Sequence, residues 1–217
     1  FEVLNLFLVP LDHQRKWYRY HHLFSDFLQK QADLELDLSK RELHTQAAQW
    51  FSKQGYILEA LHHGVAAEDH ELLIDIITRK SEDLYSAYQF ARLAKYIDVI
   101  PEKLIRINPH LSISRTGIAF DLGQITLARK YLCIAEKESC KISDIRLKIR
   151  IQLQKAKLAK LERSELEAIQ IVEEILGEIP EEAHTLNSYA RLILASSYLQ
   201  AGRLNKAREI LEGSKNA

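Results

Sequence analysis

The chain contains no methionine in its 217 residues. A sequence without an initiator is expected to be a fragment or to have lost residues from its start. Cysteine is nearly missing too, with only Cys133 and Cys140. Seven positions apart on a helix, they share a face but cannot bridge to each other. They read as two small buried hydrophobes in a reducing cytosol. No apolar run reaches the roughly 18 residues of a membrane span. The opening Phe1–Leu4 stretch has no basic segment before an apolar run, so no signal peptide is visible. An excess of charge is absent as well, since 30 basic residues balance 30 acidic ones. A chain that grips nucleic acid through its phosphates leaves a basic footprint. The motifs of catalysis are lacking: no G-x-x-x-x-G-K-[ST] phosphate loop, no H-E-x-x-H or C-x-x-C metal spacing, no G-x-S-x-G nucleophile turn. These absences lead to the expectation of a cytoplasmic chain that is not an enzyme, holds no metal or cofactor of its own, and touches neither membrane nor nucleic acid directly.

What is present is one phrase repeated. Gly55-Tyr-Ile-Leu-Glu-Ala60, Gly123-Gln-Ile-Thr-Leu-Ala128 and Gly202-Arg-Leu-Asn-Lys-Ala207 each place a helix-ending Gly five residues before Ala. Arg163-Ser-Glu-Leu-Glu-Ala168 keeps the spacing without the Gly. Aligned on these alanines, the positions twelve residues back are all small: Ala48, Thr116, Ala156 and Ala195. Three further on come Phe51, Ala119, Ala159 and Tyr198, and seven past the anchors come Ala67, Ala135, Ile175 and Ser214. Small residues let paired helices approach closely. The pattern resembles the tetratricopeptide repeat, with its period of about 34 residues, in an irregular form. A degenerate unit between the first two copies would have its anchor at Ala94. Arrays of this kind bury the apolar face of each helix pair on the next, and they serve to bind partners.

The first forty residues differ. Leu4–Pro10 is a short apolar run, Leu11–Lys16 is polar, and Trp17–Tyr20 alternates aromatic residues, which predicts a hairpin within Asn5–Tyr20. Leu23, Phe24, Phe27 and Leu28 then recur at helical spacing to about Gln31. Ser39-Lys-Arg-Glu42 is a capping box that starts the next helix, ended by Gly55. Helices are expected over about 57–67, 69–80, 86–100, 111–122, 125–138, 142–161, 164–176, 184–201 and 204–211, with Pro101 and Pro109 as punctuation.

Asn5-Leu-Phe-Leu-Val-Pro-Leu-Asp12 and Trp17-Tyr-Arg-Tyr-His-His-Leu-Phe-Ser-Asp-Phe-Leu28 resemble one family. It is the large ATP-dependent, LuxR-type bacterial transcription activators that include the maltose regulator. The resemblance continues through Leu43–Phe51, Gly55, Glu59–His63 and Ala66–Asp69, and covers about the first 105 residues; beyond Pro109 only the repeat pattern remains. It implies that residues 1–37 close the winged-helix part of a STAND-class nucleotide-binding module, that 38–105 form a helical arm, and that 106–217 begin a tetratricopeptide-like sensor superhelix. The implied fold class is mainly α, with a short β-hairpin as the winged-helix remnant. The family's phosphate loop and its Leu-Thr-x-Arg-Glu DNA-binding opening are both missing, so neither ATP hydrolysis nor operator binding is expected from these residues.

The resemblance also places a site. His21 is similar in position to the winged-helix His of STAND proteins that meets the phosphates of a bound ATP or ADP and holds the closed state, and an imidazole N–H is a suitable donor to phosphate. His22 is expected on the other side of the strand. His44, His62, His63 and His70 lack a ligand spacing, and His63 reads as an inter-helix packing residue. In tetratricopeptide arrays the first helix of each pair lines the concave wall. The alanine register then puts His110, Phe120, Asp121, Arg150, Lys157, Lys160, Tyr189, Ser196 and Gln200 there. Phe120, Asp121, Arg150, Lys157 and Tyr189 are the expected groove for a small-molecule inducer or a protein partner. The implied function is a non-catalytic sensor and interdomain segment of a transcription regulator, coupling inducer to a nucleotide switch and contacting the other domains of its parent. The alternative is a generic tetratricopeptide scaffold for a protein partner.

Overall fold

The computed structural model describes residues 7–15, 17–35, 39–86 and 90–212. Residues 1–6, Lys16, the 37/38 boundary and Ser214, all named above, lie outside them. The chain divides into two compact units, Phe1–Leu43 and His44–Ala217. The described residues are mainly helical, with one two-stranded sheet.

In the first unit, β1 (Leu8–Pro10) pairs antiparallel with β2 (Tyr18–Tyr20), with Leu8 opposite Tyr20 and Pro10 opposite Tyr18. The ladder is extended by Leu11 N–H to the Trp17 carbonyl at 2.8 Å and by His21 N–H to the Phe7 carbonyl at 2.6 Å. Pro10 has no N–H to give, and it stands at the strand end where none is needed. Helix α1 (His22–Glu35) follows at once. Phe24 holds it to the hairpin, its ring centroid 5.3 Å from Phe7 and 5.4 Å from Tyr20. Helix α2 (Lys40–Lys53) begins with the expected capping box. Glu42 N–H donates to Ser39 Oγ at 3.3 Å and Ser39 N–H donates to Glu42 Oε2 at 2.7 Å, so two otherwise orphaned amides are satisfied reciprocally.

The second unit takes in the rest of α2 and ten further helices: α3 (Ile57–Ala66), α4 (His70–Ser86), α5 (Phe90–Ile97), α6 (Glu102–Ile107), α7 (Pro109–Asp121), α8 (Ile125–Ser139), α9 (Ile145–Leu161), α10 (Glu165–Leu176), α11 (His184–Gln200) and α12 (Leu204–Glu212). The short α6 was not separated in the sequence from the run up to Pro109. Asn108 accepts from His110 N–H at 3.0 Å and Leu111 N–H at 3.2 Å, and Pro109 fills the first helical position, so α7 starts where its sequence says it should.

The repeated phrase is a repeated turn. Gly55, Gly123 and Gly202 have φ of +83°, +71° and +73°. In each copy two hydrogen bonds close the preceding helix, as at Gly123 N–H to the Phe120 carbonyl (3.0 Å) and Gln124 N–H to the Ala119 carbonyl (2.8 Å). This is the Schellman pattern, which needs one residue in the left-handed region. Arg163 makes the same pair of bonds at φ +62° without being Gly, and Glu68 does so between α3 and α4 at φ +52°. The next helix then packs back through its anchor alanine. Ala60, Ala128 and Ala168 are wholly buried, as are Ala48, Thr116 and Ala156 across from them. Ala94 is only half-buried at the edge of the first core, where Leu93 and Ile97 take the buried places, so it is not a fifth anchor of equal standing.

One apolar core joins α2 to α8 through Leu61, Leu73, Ile77, Leu93 and Leu111, and another joins α9 to α12 through Leu153, Val172 and Leu194. Each such side chain contributes about 1.5–3 kcal/mol when fully buried. Part-buried polar ties cross between helices as well. Tyr198 on α11 donates to Glu173 on α10, and burial together with that carboxylate pushes its phenol up to about 12. Cys133 and Cys140 are exposed, against expectation. The buried stripe of α8 runs through Ala128, Tyr131, Leu132, Ala135 and Ser139, and the cysteines fall one position past it. No described helix is long and apolar enough to cross a membrane.

Candidate functional site

His21 stands at the junction of β2 and α1. Its carbonyl accepts from Phe24 N–H (3.0 Å) and Ser25 N–H (2.9 Å), which fixes the backbone on both sides of the ring. The imidazole lines an open hollow of about 600 Å³ together with Val9, Arg19, Tyr20, His22, Ser25 and Asp26. Arg19 and His21 are two apart on an extended segment and so share a face. Arg19 was missed in the sequence, although this alternation is visible there. His22 is the first residue of α1, not a strand residue on the opposite side, and its ring lies 4.2 Å from that of His21. Beside the Asp26 carboxylate, the hollow gathers a guanidinium, two imidazoles and a hydroxyl, which are donors suited to phosphate oxygens.

The second candidate is the face shared by α7, α9 and α11, the first helices of their pairs, which pack side by side. Lys157 Nζ donates to Asp121 Oδ1 at 3.1 Å and lies 5.3 Å from the Phe120 ring centroid, so three of the expected groove residues meet. Phe120 is 6% exposed and packs with Ala119 and Ala128, so it is a core residue, contrary to the expectation of a free groove wall. Arg150 lies two turns before Lys157 on the same side of α9, 5% exposed, its Nη2 at 3.4 Å from Ser114 Oγ. Tyr189 is half-buried on α11 against the second core. His110 is mostly buried, with Nε2 3.5 Å from Asp144. Burial, and then the charge of Arg150, holds its imidazole below the ordinary value, while Asp144 pulls it back. Lys160 donates to Ser196 Oγ at 2.6 Å.

The rungs across this face have a constant step. Arg150–Ser114, Lys157–Asp121, Lys160–Ser196 and Arg146–Glu182 are each 36 residues apart. The anchor alanines Ala128, Ala168 and Ala207 are 40 and 39 apart. Neighbouring inner helices are therefore staggered by about one turn of 3.6 residues. Residues equivalent by the alanine register are not opposite one another, which is why Tyr189 does not stand across from Arg150.

The histidines of the first helix pair form no metal cluster among the described residues. His44 Nδ1 and His63 Nδ1 are 2.8 Å apart, and His63 stacks on Phe51 at 5.3 Å and 9°. One ring must therefore be neutral. Burial, then the charges of His44 and His62, lowers the His63 pKa. Unfolded imidazole titrates near 6.5, so below that value the unfolded chain binds protons that the folded chain resists. Stability contributed here is present above that pH and is lost as pH falls through it towards the lowered folded value. A melting temperature lower at about pH 5.5 than at about pH 7.5 is expected, with a smaller drop in His63→Phe, which keeps the stack on Phe51. An equal drop in wild type and variant would contradict the assignment.

Residues 1–41 match the MalT winged helix domain. Over 212 residues, 96% of its length, the chain is similar to the HTH-type transcriptional regulator MalT of Klebsiella pneumoniae strain 342, at 26% identity, and at 26% identity over the same length to MalT of Klebsiella pneumoniae subsp. pneumoniae. It spans 23% of the length of those curated relatives. No solved structure matches it at a significant level.

Proposed function

We propose that these residues are a sensor and interdomain segment of a longer, cytoplasmic, LuxR-type transcription regulator with a STAND-class nucleotide switch. The observation that carries this reading is that similarity to the MalT regulators covers 96% of the chain and so extends past residues 1–41, which match the winged helix domain, into the helices that follow. In this reading the hollow at His21 meets the phosphates of ADP supplied by a neighbouring nucleotide-binding domain, which favours a closed resting state. A ligand on the inner helices, of tetratricopeptide-like arrangement, favours the open state. Such a ligand moves the balance only by the difference in its affinity for the two states. Nothing in the segment itself supplies a phosphate loop, so no ATP turnover is assigned to it.

In the full-length regulator His21→Ala is then expected to raise basal transcription several-fold, because the closed state loses one of its holding contacts. Arg19→Ala should act in the same direction. Basal transcription unchanged in both variants, with normal protein levels, would refute the role of the hollow.

A further inference from the structure

Helix α9 carries six cations, Arg146, Lys148, Arg150, Lys155, Lys157 and Lys160, and no carboxylate. Arg146, Arg150, Gln154, Lys157 and Lys160 recur at helical spacing, so they form one stripe between α7 and α11. Carboxylates from neighbouring helices meet part of it: Asp121 meets Lys157, and Glu182 on the segment before α11 meets Arg146 at 3.1 Å. Lys160 is different. Its partner is the Ser196 hydroxyl, whose own proton is committed to the Ile193 carbonyl at 2.9 Å. The hydroxyl positions the ammonium and does not neutralise it, and two of the three N–H donors remain. Lys160 is half-buried, and Lys157 close by on the same face lowers its pKa further. Between Arg150 and Lys157, Gln154 is 3% exposed and its Oε1 has no hydrogen-bond donor. A buried acceptor without a donor is unfavourable, and a ligand hydroxyl or ammonium would relieve it.

We propose that this face binds a small anionic molecule whose carboxylate or phosphate lies between Lys157 and Lys160, and whose hydroxyl or amino group reaches Gln154 one to two turns, ~5–9 Å, back along the helix. The inference rests on the reading of the inner helices as a sensor and specifies the class of molecule sensed: a hydroxy acid, an amino acid or a sugar phosphate rather than a neutral sugar. The Phe120 ring beneath Lys157 keeps that lysine in place, since a cation over an aromatic face is held without using its donors.

The test is calorimetric titration of the full chain with gluconate, glycerol 3-phosphate and inorganic phosphate, with maltotriose as a neutral control. One of the two hydroxylated anions should bind at least tenfold more tightly than inorganic phosphate, and the identity of the winner tells carboxylate from phosphate. Lys160→Gln should weaken that binding at least tenfold with an unchanged melting temperature. Gln154→Leu should bring the winner down to the affinity of inorganic phosphate. A second readout is acetylation of lysines at about pH 8, where the lowered pKa makes Lys160 react early and the bound anion should protect it. Binding of neither hydroxylated anion, or equal binding by Lys160→Gln, would overturn the proposal and leave the sensor reading standing. Anion binding in a full-length regulator whose transcription ignores that anion would instead sustain the site and refute the sensor reading.

Discussion

Gly123→Val is expected to destabilise the second unit by about 2 kcal/mol, and Gly55→Val and Gly202→Val by similar amounts. An ideal Cβ at any of these positions meets nothing within 4 Å, so crowding is not the cause. The cost is in the backbone. Their φ values of +71° to +83° lie in the left-handed region, where an L residue costs roughly 1–2 kcal/mol and a β-branched one more. Leaving that region would break both hydrogen bonds of the turn and misdirect the following helix. For a unit of this size the melting temperature should fall by about 4–8 °C. Arg163 supplies the opposite test. It already occupies the same turn at φ +62°, so Arg163→Gly should stabilise by about 0.5–1 kcal/mol once the flexibility of glycine in the unfolded chain is set against the strain relieved. Three valine variants melting like wild type would contradict the turn assignment.

Ala128→Leu should cost about 3 kcal/mol. Ala128 is wholly buried beside Ala119 and Phe120, where α8 approaches α7, and its N–H donates to the Gln124 carbonyl at 2.9 Å. Extra carbons can be accommodated only by separating the helices, and overpacking of this kind costs about 1–3 kcal/mol or more. Ala94→Leu provides the control. It is half-buried at a core edge, so less than about 1 kcal/mol is expected. Equal melting temperatures for the two leucine variants would show that the anchor alanines do not set the helix spacing.

Local signals carried much of the fold. The capping box at Ser39, the Pro109 start and the glycine turns act through bonds a few residues long, so the sequence displays them directly. The anchor alanines were visible because every copy meets the same steric demand. The site was less legible. The groove positions were transferred by equivalence between repeats, whereas contact across α7, α9 and α11 follows a 36-residue step. A stagger of one turn leaves no mark in a single repeat, and it separates Tyr189 from Arg150. The alanine register put Phe120 on the groove wall, yet its ring packs into the core. The cysteines were misplaced for a similar reason, since one position on a helix turns a side chain by about 100°. Gln154 attracted no notice because nothing in sequence marks an acceptor as unsatisfied.

The proposed switch stands or falls on whether the hollow at His21 holds nucleotide in the full-length regulator. The most direct measurement is the dissociation rate of a fluorescent ADP analogue from that protein, wild type against His21→Ala, in the absence of inducer. An imidazole donating to a phosphate oxygen in a partly enclosed site contributes about 1.5–3 kcal/mol as a charge-assisted hydrogen bond, so dissociation should accelerate by roughly tenfold to a hundredfold. A dissociation rate equal to that of wild type, in a variant that melts normally, would contradict it.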